Sequence, residues 1–214
     1  MIKYLCICSA LILFTNGLAQ EISLETQLDS IVSEDQANEF VEHNKSLNGK
    51  FVVFNKEKHR TRLADDLFRL GIGEKRVYET EIEKTYYKFI NKNKVEHYRV
   101  SYIFLDGHKM SMSEITKLQY DIIAKYKQGI PFENLAKQYS MDNNARRGGD
   151  LGWFAIGEMD PDFENQVITS YHKVGDIFKV DIPSRDWYYV VLKTFDSMMI
   201  EEIKLLKVVE PISR

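Results

Sequence analysis

The chain has 214 residues, 29 lysines and arginines against 32 aspartates and glutamates, and a formal net charge of −3. With 44% apolar and 29% charged residues it has the make-up of one ordinary globular domain or two small ones, which excludes a disordered or membrane-embedded chain. A mildly acidic sequence with no lysine–arginine stripe also excludes a nucleic-acid partner.

In chain order, residues 1–19 read as a signal peptide: Lys3 supplies a positive start, Tyr4 to Phe14 an apolar stretch, and Gly17-Leu18-Ala19 a small-x-small cleavage site. The apolar stretch is short for a membrane span, so cleavage after Ala19 is expected in preference to a retained anchor, with no stable membrane span after cleavage. Both cysteines, Cys6 and Cys8, fall inside this leader. The mature chain thus enters an exported, oxidising compartment, periplasmic or extracellular, with core packing and no disulfide to stabilise it.

Ser33 to Leu47 has a helical pattern, with Ser33 as N-cap, Gln36 at the capping-box position and Ala37, Phe40 and Val41 on one face. Lys50 to Phe54 is strand-like, and His59 to Leu70 is helical through Leu63, Leu67 and Leu70, with Gly71 as its stop. In VYETEIEKTYYKFI, Ile82, Tyr86 and Ile90 fit a period of two or of four. His97 to Leu105 reads as a strand, Asp106-Gly107 as a turn, and Ser113 to Lys127 as a helix capped by Ser113. Pro131 opens a second helix, and Asp160 caps a third with Pro161 at its first position, Phe163 and Val167 sharing one face. Asp176 to Ile182 and Trp187 to Lys193 are strands; the tail, IEEIKLLKVVE, is a strand or a short helix.

The order β-α-α-α-β-β over residues 95–196 implies an α+β domain with a mostly antiparallel sheet. A smaller helix-containing domain over residues 20–94 precedes it, and residues 197–214 form a C-terminal extension. Residues 49–68 can be laid on 149–168 without a gap, matching Gly49 to Gly149, Phe54 to Phe154 and Leu63 to Phe163. After a two-residue shift Gly73 falls on Gly175 and Tyr86-Tyr87 on Tyr188-Tyr189. Identities are few, so this is either chance or a shortened internal copy, and in the latter case Tyr86 to Ile90 is a strand.

The string PFENLAKQYSMDNNARRGGDLGWFAIGEMDPDFENQV resembles the core of parvulin-type peptidyl-prolyl cis-trans isomerases, and the likeness extends over about His97 to Thr194. It implies a parvulin-like fold and an exported chaperone-isomerase acting without cofactor or metal on unfolded or partly folded, proline-containing polypeptides. By position in the motif, Leu151, Met159 and Phe163 are the implied walls of an apolar proline pocket, against the plain alternative that they are core. Methionine moulds around a compact ring and phenylalanine gives a rigid floor.

Asp142 fills the acidic position of the family's polar network, but its two usual histidine positions fall on Tyr102 and Tyr189. These tyrosines either share a hydrogen-bond network with Asp142 or only pack in the sheet. Ser184 matches a position that often carries a hydroxyl near the substrate. Arg146 and Arg147 either attract acidic side chains before the proline or are simply solvated. The tyrosine departures leave a second reading open, a non-catalytic peptide-binding chaperone or assembly factor that keeps the groove. The histidines, His43, His59, His97, His108 and His172, lack ligand spacing and imply no zinc site.

Overall fold

A computed structural model of the chain describes residues 23–169 and 171–212; the expected leader lies outside them. The helices are α1 (Leu24–Asp29), α2 (Glu34–His43), α3 (Arg62–Leu67), α4 (Met112–Lys127), α5 (Phe132–Tyr139) and α6 (Pro161–Ile168). The strands are β1 (Lys50–Asn55), β2 (Lys75–Glu79), β3 (Glu83–Asp106), β4 (Asp150–Ala155), β5 (Ile177–Ile182), β6 (Trp187–Lys193) and β7 (Met198–Pro211). All seven strands form one antiparallel sheet in the order β1-β7-β3-β6-β5, with β2 and β4 also paired to β3. The α+β class with a mostly antiparallel sheet is as the sequence implies.

The spine is β3, 24 residues long. The segment that fitted two periods is the β2–β3 hairpin. Tyr86 and Tyr87 are both buried, on opposite faces, because helices cover both sides of the sheet and a strict polar alternation is not needed. The tail is β7, a strand. The position between residues 94 and 95 falls inside β3, and the C-terminal extension supplies β7, which lies between β1 and the first half of β3.

Several helix ends differ from the sequence reading for local reasons. The first turn of α4 is capped by Ser111, not Ser113: the Ser111 hydroxyl accepts from Glu114 N–H while the Glu114 carboxylate takes the Ser111 N–H, a complete capping box. The Thr61 hydroxyl caps α3, which starts at Arg62, three residues later than the sequence reading. Helix α2 stops at His43, where the Asn44 side chain bonds the Phe40 carbonyl. Pro131 is the N-cap of α5, one residue before the helix proper. Neither α1 nor β4 was evident in the sequence.

The four apolar clusters fall two to each half of the sheet, and β7, from the far end of the chain, completes the N-terminal half. In the N-terminal half, α1 and α2 cover Tyr86, Ile90, Leu206 and Val208 on one face, and α3 covers Tyr87, Phe89, Ile203 and Leu205 on the other. In the C-terminal half, α4 and α5 cover Ile103, Leu105 and Val190, and α6 covers Val100, Phe154, Val180 and Val191. The strand orders correspond: β1-β7-β3-β2 in one half, β4-β3-β6-β5 in the other. The ungapped overlay of residues 49–68 on 149–168 sets β1 on β4 and α3 on α6. The later part of that overlay needs correcting by two residues. Lys75 pairs with Lys88, and Ile177 with Leu192, so Thr85, not Tyr87, occupies the place of Tyr189. The β5–β6 hairpin is the longer of the two, which causes the slip.

Candidate active site

The glycine-rich stretch brings the second half's cleft together by letting two backbones touch. Gly149 has φ +84°, its carbonyl accepts from Tyr102 N–H at 2.8 Å, and a Cβ there would stand 2.6 Å from the Tyr102 carbonyl oxygen. Only glycine fits such an approach. Immediately beyond, β4 joins β3 with a register shift between Arg99 and Ser101. Arg99 grips Asp150 with two hydrogen bonds, of 3.1 and 2.6 Å. Burial works against the Asp150 carboxylate, but the Arg99 guanidinium and the Gly152 N–H outweigh it and hold its pKa below the usual range.

From β4 the chain loops into α6. Asp160 caps the helix by accepting from Asp162 and Phe163 N–H, with Pro161 in the first turn. The buried Glu164 carboxylate turns back on the loop and accepts from Gly157 N–H and Met159 N–H, each at 2.9 Å. That contact holds Met159 in place, and its one trace in the sequence is the acid four residues into the helix.

The result is a cleft of about 180 Å³ lined by Tyr102, Leu151, Met159, Asp160, Phe163, Trp187 and Tyr189. That is below the roughly 300–1,000 Å³ of drug-sized sites and suits one compact side chain. Its floor is aromatic. Phe163 meets Tyr102 at 6.2 Å and Tyr189 at 5.2 Å, and the two tyrosines meet at 5.6 Å, all edge to face. Behind it, the Tyr102 hydroxyl donates to Asp142 Oδ2 at 2.7 Å, while Asp142 Oδ1 accepts from the Ser140 hydroxyl and from Asn144 N–H. Burial, then the Asp142 hydrogen bond, pushes the Tyr102 phenol well above its ordinary pKa; burial, then Asp142 and Asp160, pushes Tyr189 up to about 12. Both phenols are neutral hydrogen-bonding groups at physiological pH.

The structure thus gathers Tyr102, Leu151, Met159, Phe163 and Tyr189 at one cleft, with Asp142 joined through Tyr102. The Tyr189 hydroxyl forms no hydrogen bond to Asp142; it reaches the group by ring contact. Arg147 lies in an adjoining groove of about 460 Å³ that shares Leu151 and Met159 with the cleft. Arg146 is exposed and lines neither, and Ser184 sits exposed in the turn between β5 and β6, away from the cleft lining. Sequence reasoning missed the rim: Arg185 pairs with Asp160 at 3.0 Å and lies over the Trp187 ring at 5.0 Å. It also missed Lys58, which reaches from the N-terminal half to Glu158 at 2.7 Å. Among the described residues no group of His, Cys, Asp and Glu is arranged to hold a metal ion, and no helix is long and apolar enough to cross a membrane.

The PPIC-type PPIASE domain matches residues 84–195. The chain is 35% identical to the foldase protein PrsA of Bacillus subtilis (strain 168) over 89 residues, 41% of this chain and 30% of that protein. It is 40% identical to the chaperone SurA of Burkholderia pseudomallei (strain 1710b) over 63 residues, 29% of this chain and 14% of that protein. Among solved structures, a crystal structure of a PpiC-type peptidyl-prolyl cis-trans isomerase domain is 25% identical, with TM-score 0.43, over 49% of this chain and 94% of that one. The chain spans less than half the length of these two curated relatives. The match over residues 84–195, more than half of the sequence, places this chain in the PPIC-type, or parvulin, peptidyl-prolyl isomerase family.

Proposed function

We propose that the chain is a cofactor-independent peptidyl-prolyl cis-trans isomerase that assists the folding of exported proteins, with Leu151, Met159 and Phe163 as the walls of its proline pocket. The observation that carries this is the small aromatic-floored cleft, sized for one ring and closed behind by neutral hydroxyls. An X-Pro bond has only a slight trans preference, yet its isomers exchange over tens to hundreds of seconds because rotation must break amide resonance. Seating the ring in a dry apolar cleft anchors one side of that bond. It favours the twisted amide, which is less polar than the planar one, and each 1.36 kcal/mol of such preference is worth about tenfold in rate. Burying three ring methylenes offers roughly 2 kcal/mol of grip.

In this reading Tyr102 donates to Asp142 and orients the polar edge, Tyr189 packs the floor, and Arg147, in the adjoining groove, faces the residue before proline. Ser184 and Arg146, exposed and outside the lining of both grooves, are given no part in this reading. The leader over residues 1–19 supports export, and the names of the relatives, foldase and chaperone, support unfolded polypeptides as clients.

A second reading, a peptide-holding chaperone without turnover, is favoured by one observation: tyrosines stand where the family usually has histidines. Acceleration of proline-limited refolding, or of a proline tetrapeptide's isomerisation, separates the two. The isomerase reading expects acceleration, and expects Met159→Ala with Phe163→Ala to abolish it. Peptide binding without acceleration would establish the chaperone reading, and activity that survives the double change would displace the pocket.

A further inference from the structure

The N-terminal half repeats the strand order of the half that holds the cleft, and the registers identify which residues stand in corresponding places. Across β6, β5 and β3 the cleft's floor is built on two rows, Phe178–Val191–Tyr102 and Val180–Tyr189–Phe104. Across β2, β3 and β7 the corresponding rows are Arg76–Tyr87–Lys207 and Tyr78–Thr85–Val209. Partners in antiparallel strands share a face, so these side chains lie together beneath α3. A second cleft of about 350 Å³ opens there, with Leu63, Tyr78, Thr85 and Tyr87 inside and Arg62 and Asp66 on its rim.

Its chemistry is different. Lys207 stands where Tyr102 stands in the other half, with its Nζ 5.8 Å from the centre of the Tyr87 ring, and Thr85 stands where Tyr189 does. The two tyrosines meet edge to face at 5.9 Å. Asp66 is engaged by Arg69 at 3.3 Å, whereas Arg62, Arg76 and Lys207 form no ion pair among the described residues. The buried Tyr78 hydroxyl has no hydrogen-bond partner among them either. An aromatic slot with Arg62 on its rim, and with Arg76 and Lys207 flanking Tyr87 in the same strand row, complements a guest that carries carboxylates beside an aromatic or aliphatic side chain.

We propose that this cleft is a second client-binding site, taking acidic, aromatic-bearing extended segments and holding them without isomerising them. The proposal rests on the reading of the chain as acting on unfolded polypeptides. It adds that the two halves grip different parts of one client, the proline in one cleft and an acidic segment in the other, which raises the effective concentration of each for the other.

The test uses the full chain and a fluorophore-labelled, proline-free peptide alternating aspartate with phenylalanine, followed by anisotropy; a lysine–phenylalanine peptide is the control. The acidic peptide is expected to bind, the control not, and binding is expected to weaken with added salt. Arg62→Glu with Arg76→Glu, both exposed and away from the core, is expected to weaken it about tenfold. Circular dichroism verifies that the variant folds. Equal binding of the basic peptide, unchanged binding by the reversed variant, or loss of binding on Met159→Ala would each overturn the proposal. Isomerisation of a short alanine–proline peptide is measured in parallel. Its absence would remove the catalytic reading of the other cleft and leave this one standing.

Discussion

Tyr102 joins the apolar floor of the cleft to the Asp142 carboxylate behind it, so its hydroxyl and its ring can be tested apart. Tyr102→Phe keeps the edge-to-face contacts with Phe163 and Tyr189 and removes the donor to Asp142. Asp142 keeps Ser140 and Asn144 N–H, so the expected loss of stability is modest, about 1–2 kcal/mol in urea denaturation. The pH behaviour follows from the same environment. Both phenols have folded-state pKa values above the ordinary value of 10.0, so the neutral form is favoured in the folded state. Their contribution to stability is complete below that pH and falls as pH rises from it towards the folded values. Tyrosinate absorbance should show a late-titrating group in which Tyr102 and Tyr189 join Tyr78, Tyr86 and Tyr98, and Tyr102→Phe should remove one phenol from it. With tyrosines at both positions, isomerase activity should be flat between about pH 6 and pH 9, where a histidine pair would give a slope. A bell-shaped profile would mean another group carries the chemistry. At this scale Leu151, Met159, Phe163 and Tyr102 were legible by their positions in the family motif, Leu151 beside Gly152 and Phe163 on one helix face with Val167. The Arg185–Asp160 pair over Trp187 was not, since it depends on how a hairpin turn folds back over a helix cap.

Between elements, the connection from β4 to α6 decides how firmly the cleft keeps its shape. Pro161, Asp160 and the spacing of Phe163 and Val167 were enough to place α6 from sequence. β4 escaped notice because Gly152 within it and its partial burial on both faces hide the alternation of a strand. What stiffens the loop between them is Glu164, a carboxylate spent on two backbone donors and only 7% exposed. Glu164→Ala would leave the Gly157 and Met159 N–H groups short of partners, at a cost of about 2–3 kcal/mol. Since Met159 is a wall of the cleft, the loss should appear chiefly as a raised KM for a proline tetrapeptide. Glu164→Gln keeps one acceptor oxygen and should recover most of both. A KM unchanged in Glu164→Ala would show that Met159 holds its position without the loop.

The whole molecule is organised by two strands that each belong to both ends of the chain. β3 closes the N-terminal sheet with its first half and opens the C-terminal one with its second, and β7 returns from the far end of the sequence to sit between β1 and β3. No local pattern announces such a return: the tail reads as strand or helix until its partners are known, and the partners are more than a hundred residues away. At their junction, Asn55 on β1 bonds His97 on β3 at 2.9 Å and Glu202 on β7 at 2.9 Å. Removing β7 by ending the chain at Phe195 takes away Ile203, Leu205, Leu206 and Val208, all fully buried, and leaves β1 without a strand partner. At roughly 1.5–3 kcal/mol for each such side chain, the loss exceeds what half of a marginally stable chain can withstand. The sheet β4-β3-β6-β5 keeps all its own pairings in that truncation. Hydrogen exchange should therefore show protection lost from β1, β2 and the first half of β3 and retained in β5 and β6, with tetrapeptide isomerisation persisting while acidic-peptide binding disappears. Uniform loss of protection across all six remaining strands would mean that the two halves fold only as one unit, and that the proline cleft depends on the N-terminal half for its stability as well as for its second grip.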